Sequence, residues 1–213
     1  MTAQAGRFHP TPRLTARDLV QRTVVALALC VFVWRAYQSY LVSPRLSLLL
    51  LLLSETLTVV LVVLARPPEE TERRPYAVAL TAVGTFYFLF VVLKPGIALV
   101  PPHVGVAVQL VGVSLQIASK LWLGRRFGLL PANRGIVTTG PYRLVRHPIY
   151  AGYFLNHMGF LAGSFSVRNA VLYALLYTVQ IGRILEEERL LRRDVRYQAY
   201  VARVRYRLIP YLF

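Results

Sequence analysis

Long apolar segments, separated by short polar ones, follow one another along most of the chain. An α-helix needs roughly 17–25 residues to cross a bilayer, and about six segments approach that length. They lie at residues 19–42, 46–65, 76–93, 104–123, 149–165 and 170–185. The last two are short and are joined only by residues 166–169, so they form either two spans or a hairpin that does not fully cross. The pattern predicts an all-α fold, a polytopic membrane helix bundle.

The segment that follows Glu188 has a different pattern, with apolar and basic residues on opposite faces of a helix. The apolar face carries Leu190, Tyr197, Val201 and Val204, and the basic face carries Arg189, Arg192, Arg196 and Arg203. Such an amphipathic helix lies on a membrane surface or over the mouth of a site. We predict that this C-terminal helix caps a site at one side of the membrane.

The composition of the chain is that of a membrane protein. Of its 213 residues, 56% are hydrophobic and only 16% are charged, whereas a soluble domain carries more charge. A single membrane domain is therefore predicted over residues 1–213, with N-terminal helices at 1–103 and a functional core at 104–213. The net charge of +16 does not indicate nucleic-acid binding, because the basic residues flank apolar segments instead of forming one soluble face.

The basic residues also predict how the chain is oriented. Most of the 25 lie in the N-terminal tail, in residues 66–75 and 120–147, and after residue 182. Short cytoplasmic segments of membrane proteins carry an excess of Lys and Arg. Both termini and the polar clusters described next are therefore expected on the cytoplasmic side. The N-terminal tail is not expected to be a secretory signal, because its apolar run continues into an ordinary helix.

Residues 140–152 place ionisable groups at the start of the fifth apolar segment, where such groups are costly. This basic cluster contains Tyr142, Arg146, His147, Pro148, Tyr150 and Gly152. Proline is tolerated in the first turn of a helix, and the free N–H groups there stabilise an anion. Arginine adds a bidentate grip for a carboxylate, and glycine lets a ligand approach the backbone. The alternative is a plain interfacial anchor of Arg, Tyr and Pro.

An acidic cluster of Glu186, Glu187 and Glu188 ends the sixth apolar segment. Successive helical residues point about 100° apart, so only one or two of the three can face inward. An inward carboxylate there needs a cation or a hydroxyl donor, and Arg146 is one such cation. The alternative is a solvated charge run that pairs with neighbouring arginines. No histidine lies at helical spacing from these residues, so a metal site is not predicted.

Two further ionisable residues lie inside apolar segments, Glu55 in the second and His157 in the fifth. A buried acid in a membrane helix faces a partner or a cavity. Glu55 is therefore expected either to pair with Arg35 or to mark a ligand pocket. For His157 we expect a satisfied contact between helices, with a place in the same cavity as Tyr150 as the alternative.

The C-terminal part of the chain resembles the isoprenylcysteine carboxyl methyltransferase family of integral membrane methyltransferases. The resemblance covers roughly the last 90 residues and depends on these sequences: Leu-Trp-Leu-Gly-Arg-Arg-Phe-Gly from residue 121, Gly-Pro-Tyr-Arg-Leu-Val-Arg-His-Pro-Ile-Tyr-Ala-Gly at 140–152, Glu-Glu-x-x-Leu at 187–191 and Tyr-x-x-Tyr at 197–200. The pairing of Arg-His-Pro-x-Tyr with Glu-Glu-x-x-Leu is fairly specific for this superfamily. The first three helices show only a generic membrane pattern.

This resemblance implies S-adenosylmethionine as the cofactor, enclosed at the cytoplasmic side under the C-terminal cap, and an acceptor that enters from the bilayer. It implies that Arg146 and Glu187 face the reacting end of the acceptor. It also implies a set of cofactor contacts at Tyr142, His147, Pro148, Tyr150, Gly152 and Glu188. Membrane lipids and a lipophilic or lipidated acceptor are the expected partners, and nucleic acid is not.

The reaction expected from the resemblance is carboxyl O-methylation of an isoprenylcysteine-like molecule. Phospholipid or amine N-methylation is an alternative within the same superfamily, and it would require Glu187 or His147 to take up a proton. A membrane reductase for C=C bonds that uses NADPH is a second alternative, since the Arg-rich loop at 125–146 could meet its phosphates. A non-catalytic membrane scaffold is the third.

Overall fold

The structure of the protein is a computed structural model that describes residues 15–67, 70–71, 74–128, 130–211 and 213. The N-terminal tail, on which the predicted orientation partly depends, lies outside the described residues. The described chain is mainly helical. Its α-helices are α1 (Ala16–Val42), α2 (Leu46–Leu64), α3 (Pro75–Phe86), α4 (Pro102–Leu123), α5 (Pro148–Gly163), α6 (Val167–Leu191) and α7 (Val195–Arg203). Two short strands, β1 (Glu70–Thr71) and β2 (Ala132–Asn133), pair antiparallel.

Three helical segments in the described part of the chain are long and apolar enough to cross a membrane. They are Asp18–Val42, Leu46–Leu64 and Pro102–Arg126, and a shorter apolar segment covers Pro75–Phe90. The helices α5 and α6 begin and end close to the fifth and sixth predicted segments. The prediction of an all-α membrane helix bundle is confirmed, although by length and composition only three of the six predicted segments qualify as spans.

The third predicted segment, 76–93, is not one continuous helix. The α-helix ends at Phe86 and a 3₁₀ turn follows at Tyr87–Phe90. The side chain of Asn169 accepts a hydrogen bond from the Val92 N–H and donates one to the Val92 carbonyl, each at 2.9 Å. An asparagine side chain thus satisfies backbone groups that a longer helix would have satisfied internally. This contact also ties the end of α3 to the start of α6.

The helices α4 and α5 pack antiparallel at very short distance. Glycines make this possible: a Cβ on Gly105 would lie 3.0 Å from the Gly159 carbonyl oxygen, and one on Gly152 would lie 2.8 Å from the Gly112 carbonyl oxygen. Between these glycine pairs, the Gln109 side chain donates to the Asn156 side chain at 3.3 Å. Small residues that allow close approach, with polar side chains bonding across the interface, are typical of membrane helix pairs.

The C-terminal segment covers one end of the bundle. The helix α7 begins at Asp194, whose side chain accepts from the Arg196 N–H at 2.9 Å and so caps it. Its apolar face is buried, and the Tyr200 hydroxyl donates to the Tyr142 carbonyl at 2.7 Å. The predicted cap over the basic cluster is present. It differs from the prediction in one respect, because Leu190 belongs to α6 and a turn separates it from α7.

Candidate active site

The basic cluster and the acidic cluster meet at Glu188. Its carboxylate Oε1 lies 2.8 Å from Nη1 of Arg146 and 3.3 Å from Nε2 of His147. All three side chains are at most 5% exposed. Two clusters separated by forty residues of sequence therefore share one buried site, as the sequence predicts.

The chain around Pro148 explains why these side chains converge. His147 is the N-cap of α5, with φ −127° and ψ 59°, because the residue before a proline is pushed out of helical geometry. Its backbone N–H, and that of Arg146, donate to the carbonyls of Arg207 at 2.8 Å and Tyr206 at 2.9 Å. The C-terminal segment thus holds this turn in place, and it brings the Arg207 side chain to the same carboxylate.

Glu188 is surrounded by positive charge. Arg207 Nε lies 3.2 Å and Arg192 Nη2 3.6 Å from its Oε2. Burial alone would raise the pKa of Glu188, but the hydrogen bond from His147 and the charges of His147, Arg146 and Arg207 outweigh it, and they lower the pKa to about 2. The carboxylate therefore stays ionised throughout the physiological range. Its role in this arrangement is to hold Arg146 and His147 in position.

A large cavity opens beside this ion-pair network. Its empty volume, including the space at its mouth that is open to solvent, is about 1250 Å³. It extends from Tyr197 and Tyr200 of α7 to Glu55 in α2. Aromatic side chains and a few charged groups line it. The charged residues are Glu55, Arg126, Arg134, Arg146, Arg183 and Glu187.

Five of the eight predicted site residues line the cavity. These are Tyr142, Arg146, His147, Tyr150 and Glu187. Glu188 and Pro148 do not line the cavity. The Glu188 carboxylate contacts arginine side chains, and Pro148 is buried in the first turn of α5. The roles of all eight toward a ligand stay predictions, but for Glu188 and Pro148 the surroundings indicate positioning of neighbours rather than contact with a ligand.

Gly152 is the third predicted residue that does not line the cavity. A Cβ at this position would meet the Gly112 carbonyl oxygen at 2.8 Å and the Gln116 backbone nitrogen at 2.9 Å. The close approach that glycine permits here is that of helix α4. A neighbouring helix occupies the space beside the Gly152 Cα, and the approach of a ligand to the backbone at Gly152 stays a prediction.

The three glutamates of the acidic cluster have three different environments. Glu187 lines the cavity, as does the Tyr150 side chain. Glu186 points to the other side, where it forms an ion pair with Arg74. Glu188 binds Arg146 and its neighbours. The helical rotation of about 100° per residue separates the three roles.

Sequence reasoning missed several residues that line the cavity. The Tyr197 hydroxyl is buried and has no hydrogen-bond partner among the described residues, although Tyr197 lines the cavity. Arg183 packs against the Tyr150 ring, with 5.7 Å from Cζ to the ring centroid. An arginine inside an apolar segment was the available signal for Arg183. The sequence pattern assigns Tyr197 to the cap, but it does not indicate a place for this residue in the cavity wall.

Arg134 also lines the cavity, from the loop that follows β2. Burial, followed by the charge of Arg22, lowers its pKa to about 10. The guanidinium is still positively charged at neutral pH. Together with Arg126 it makes the mouth of the cavity attractive to an anionic group.

The deep end of the cavity contains Glu55, while His157 lies behind it. Arg35, one expected partner of Glu55, instead donates to the Leu89 carbonyl at 2.7 Å. His157 hydrogen-bonds the Tyr87 hydroxyl at 2.8 Å and the Tyr177 hydroxyl at 2.6 Å. The expectation of a satisfied contact between helices is thus confirmed for His157. Glu55 follows the other alternative, since it faces a pocket.

Residues 101–196 match the family model described as phospholipid methyltransferase. The matched stretch contains α4, α5 and α6, and with them both polar clusters. This region is similar to integral membrane methyltransferases. The match supports a membrane enzyme that transfers methyl groups, and it does not extend to the isoprenylcysteine subfamily. No curated protein and no solved structure matches the chain significantly.

Proposed function

We propose that the protein is a membrane methyltransferase that uses S-adenosylmethionine to methylate the amine of a lipophilic acceptor. The observation that carries this proposal is the shared cavity, in which the Arg146–His147 start of α5 meets Glu187 of α6. Both lie in the region matched by the phospholipid methyltransferase family. The distribution of basic residues predicts that this end of the bundle lies on the cytoplasmic side. That position suits a charged cofactor that is supplied from the cytoplasm.

The residues around the mouth of the cavity suit this cofactor chemically. The buried Tyr197 hydroxyl lacks a partner among the described residues, and it could donate to a ribose hydroxyl or a carboxylate. Arg134 supplies a cation for the cofactor carboxylate, and Tyr142 and Tyr150 supply aromatic surface. When bound, the cofactor supplies a methyl group activated by a sulfonium. Among the described residues there is no cluster of ligands for a metal ion.

Glu187 is the best-placed base for an amine acceptor. An ammonium group must lose a proton before its nitrogen can attack a methyl group. Glu187 lines the cavity together with Tyr150, whereas the ring nitrogen Nε2 of His147 already contacts Glu188 at 3.3 Å. In this proposal Glu187 accepts the proton, and the walls of the cavity align the two reactants and exclude water.

A groove between α1 and α3 supports access for an acceptor from the bilayer. It is lined mainly by apolar residues, and it shares Thr85 and Leu130 with the cavity wall. An acyl chain could lie in the groove while the polar end of the molecule enters the cavity. A lipophilic acceptor would therefore not need to leave the membrane.

Carboxyl O-methylation of an isoprenylcysteine-like acceptor is the second candidate. Two cations in the cavity wall, Arg146 and Arg183, favour it, because they could orient a carboxylate. Against it, Nη1 of Arg146 lies only 2.8 Å from Glu188 and is already neutralised. A carboxylate acceptor would also face the carboxylates of Glu187 and Glu55.

Mass spectrometry of reconstituted protein tests the proposal. The purified protein in lipid nanodiscs would receive S-adenosylmethionine with a deuterated methyl group. We expect phosphatidylethanolamine to gain the labelled methyl group with wild-type protein, and at least about a hundredfold more slowly with Glu187→Gln, as for loss of a general base. Glu186→Gln, which changes a neighbouring carboxylate outside the cavity, is the matched control. Absence of label from every lipid and added prenylcysteine would contradict the proposal.

A further inference from the structure

We infer that Glu55, at the deep end of the cavity, is the counter-ion that binds the ammonium group of the acceptor and selects amines over carboxylates. The inference rests on the proposed methyltransferase function, and it adds a residue from outside the matched region 101–196. It depends on one juxtaposition, that of a buried carboxylate with the aromatic side chains that line the same end of the cavity.

Glu55 lies near the middle of α2, deep in the apolar part of the bundle. The residue is only 6% exposed, and it lines the cavity. Within the described part of the chain, its carboxylate has neither a hydrogen bond nor an ion pair within 4 Å. Burying a carboxylate without donors is strongly unfavourable. A residue in this position therefore favours a ligand that brings positive charge or hydrogen-bond donors.

The charge of Lys120 acts on Glu55, but the direct contacts of the Lys120 ammonium group are with other residues. Its Nζ donates to the Thr58 hydroxyl at 2.9 Å and to the Gln116 side chain at 3.4 Å. It also lies 4.9 Å from the centroid of the Tyr153 ring. Lys120 therefore acts on Glu55 electrostatically, through space. It does not supply the missing hydrogen bonds of the carboxylate.

The aromatic side chains beside Glu55 suit a substituted ammonium group. Tyr87, Phe88 and Tyr153 line the cavity, and Tyr87 lies close enough to Glu55 to be affected by the charge of the carboxylate. Aromatic faces attract cations, and together with a carboxylate they form the usual binding site of methylated ammonium groups. Each methylation of an amine removes a hydrogen-bond donor but leaves the positive charge. A carboxylate within an aromatic wall can thus hold the substrate before and after methyl transfer.

The same arrangement works against a carboxylate acceptor. A second negative charge beside Glu55, in an environment of low dielectric constant, would be repelled strongly. His157 cannot offset this repulsion as a donor, because both of its ring nitrogens are bonded to tyrosine hydroxyls. Glu55 therefore provides a reason for selectivity that Arg146 and Arg183 alone would not give.

Steady-state kinetics with two acceptors tests the inference. The probes are dioleoylphosphatidylethanolamine and N-acetyl-S-farnesylcysteine, each offered to full-length protein in detergent micelles. Glu55→Gln keeps the shape of the side chain and removes its charge. We expect it to raise KM for the amine lipid by at least about tenfold, as for loss of a charged hydrogen bond. The dissociation constant of S-adenosylhomocysteine, measured by calorimetry, should change less than about twofold, because Glu55 lies at the opposite end of the cavity from Tyr197.

Two further variants keep the result interpretable. Glu55→Asp retains the charge, so it should recover part of the lost affinity for the amine lipid, and Glu186→Gln should behave as wild type. If Glu55→Gln does not fold, as judged by loss of S-adenosylhomocysteine binding, the KM measured with Glu55→Asp decides. A KM for the amine lipid that is unchanged in the folded variants would overturn the inference.

The outcomes also separate this inference from the proposed function. If the wild-type protein methylates only the farnesylcysteine, the assignment of Glu55 and the amine acceptor of the proposed function are both wrong, while methyl transfer to a lipophilic acceptor stands. If the wild-type protein neither binds S-adenosylhomocysteine nor methylates either probe, the proposed function itself fails, and the inference fails with it.

Discussion

Arg146, just before α5, and Glu188, near the end of α6, form a buried ion pair with 2.8 Å between Nη1 and Oε1. Through this pair the two polar clusters become parts of one structure. Arg146 also donates to the Arg205 carbonyl at 2.9 Å, so the C-terminal segment is fastened to the same point. The relationship suggests that Glu188 stabilises the site while Glu187, one residue earlier, faces its interior.

Removal of the Glu188 charge should destabilise the protein. In Glu188→Gln, four basic side chains would lose the charge of their shared, buried partner, and breaking a buried pair from one side costs about 3–5 kcal/mol. We expect a clear drop in melting temperature, measured by intrinsic fluorescence in detergent. Glu186→Gln is the control, since its partner Arg74 has a side chain that is 38% exposed, and its melting temperature should change little. Equal effects of the two substitutions would show that Glu188 has no special structural role.

The same carboxylate should give the protein a measurable dependence on pH. The pKa of Glu188 is lowered to about 2 in the folded protein, whereas glutamate in an unfolded chain titrates near about 4.3. Its contribution to stability is therefore complete above the unfolded pKa and is lost as the pH falls toward 2. Melting curves of wild-type protein and Glu188→Gln between about pH 6 and pH 3 should converge as the pH decreases. Parallel curves over this range would contradict the assignment.

A comparison of two glycines tests whether Gly152 serves helix packing. Gly152→Ala would place a methyl group 2.8 Å from the Gly112 carbonyl oxygen, whereas a Cβ on Gly163 meets nothing within 4 Å. We expect Gly152→Ala to lower the melting temperature by the equivalent of about 1–3 kcal/mol, as for overpacking. Gly163→Ala should be neutral or slightly stabilising. If Gly152→Ala instead left stability unchanged and weakened S-adenosylhomocysteine binding, the prediction of a ligand contact at Gly152 would be supported.

Loss of the hydroxyl group should affect stability at one tyrosine of α7 and ligand binding at another. Tyr200 donates to the Tyr142 carbonyl at 2.7 Å, so Tyr200→Phe should lower stability by about 1 kcal/mol. The Tyr197 hydroxyl has no partner among the described residues and lines the cavity. Tyr197→Phe should therefore leave stability unchanged and weaken S-adenosylhomocysteine binding by about fivefold or more. Calorimetry and melting curves on both variants distinguish the two roles.

Much of this architecture follows from the sequence, because it depends on local signals. The apolar segments predict the helices, Pro148 predicts the start of α5, and costly ionisable groups at segment ends predict the shared site. His147 and Glu188 lie 3.3 Å apart, and the free-energy cost of burying unpaired charges predicts that their two clusters meet. Composition, periodicity and the free-energy cost of charge in an apolar environment are enough to predict these features.

Other features depend on contacts between distant segments, which the pattern does not encode. A glycine permits the approach of a ligand or of a helix equally well, so Gly152 could not be assigned until α4 was seen beside it. The break in the third apolar segment requires Asn169, which lies far along the chain. Likewise, only the packing of α2 against α4 brings Lys120 close to Glu55 and Thr58.

Calorimetric titration of the purified wild-type protein with S-adenosylhomocysteine, with NADPH as the competing ligand, tests the central claim most directly. The claim is that the cavity between α5, α6 and α7 binds a methyl donor. We predict saturable binding of S-adenosylhomocysteine to a single class of sites, weakened in Tyr197→Phe, and no binding of NADPH. Binding of NADPH without S-adenosylhomocysteine, or no binding of either by folded protein, would contradict it.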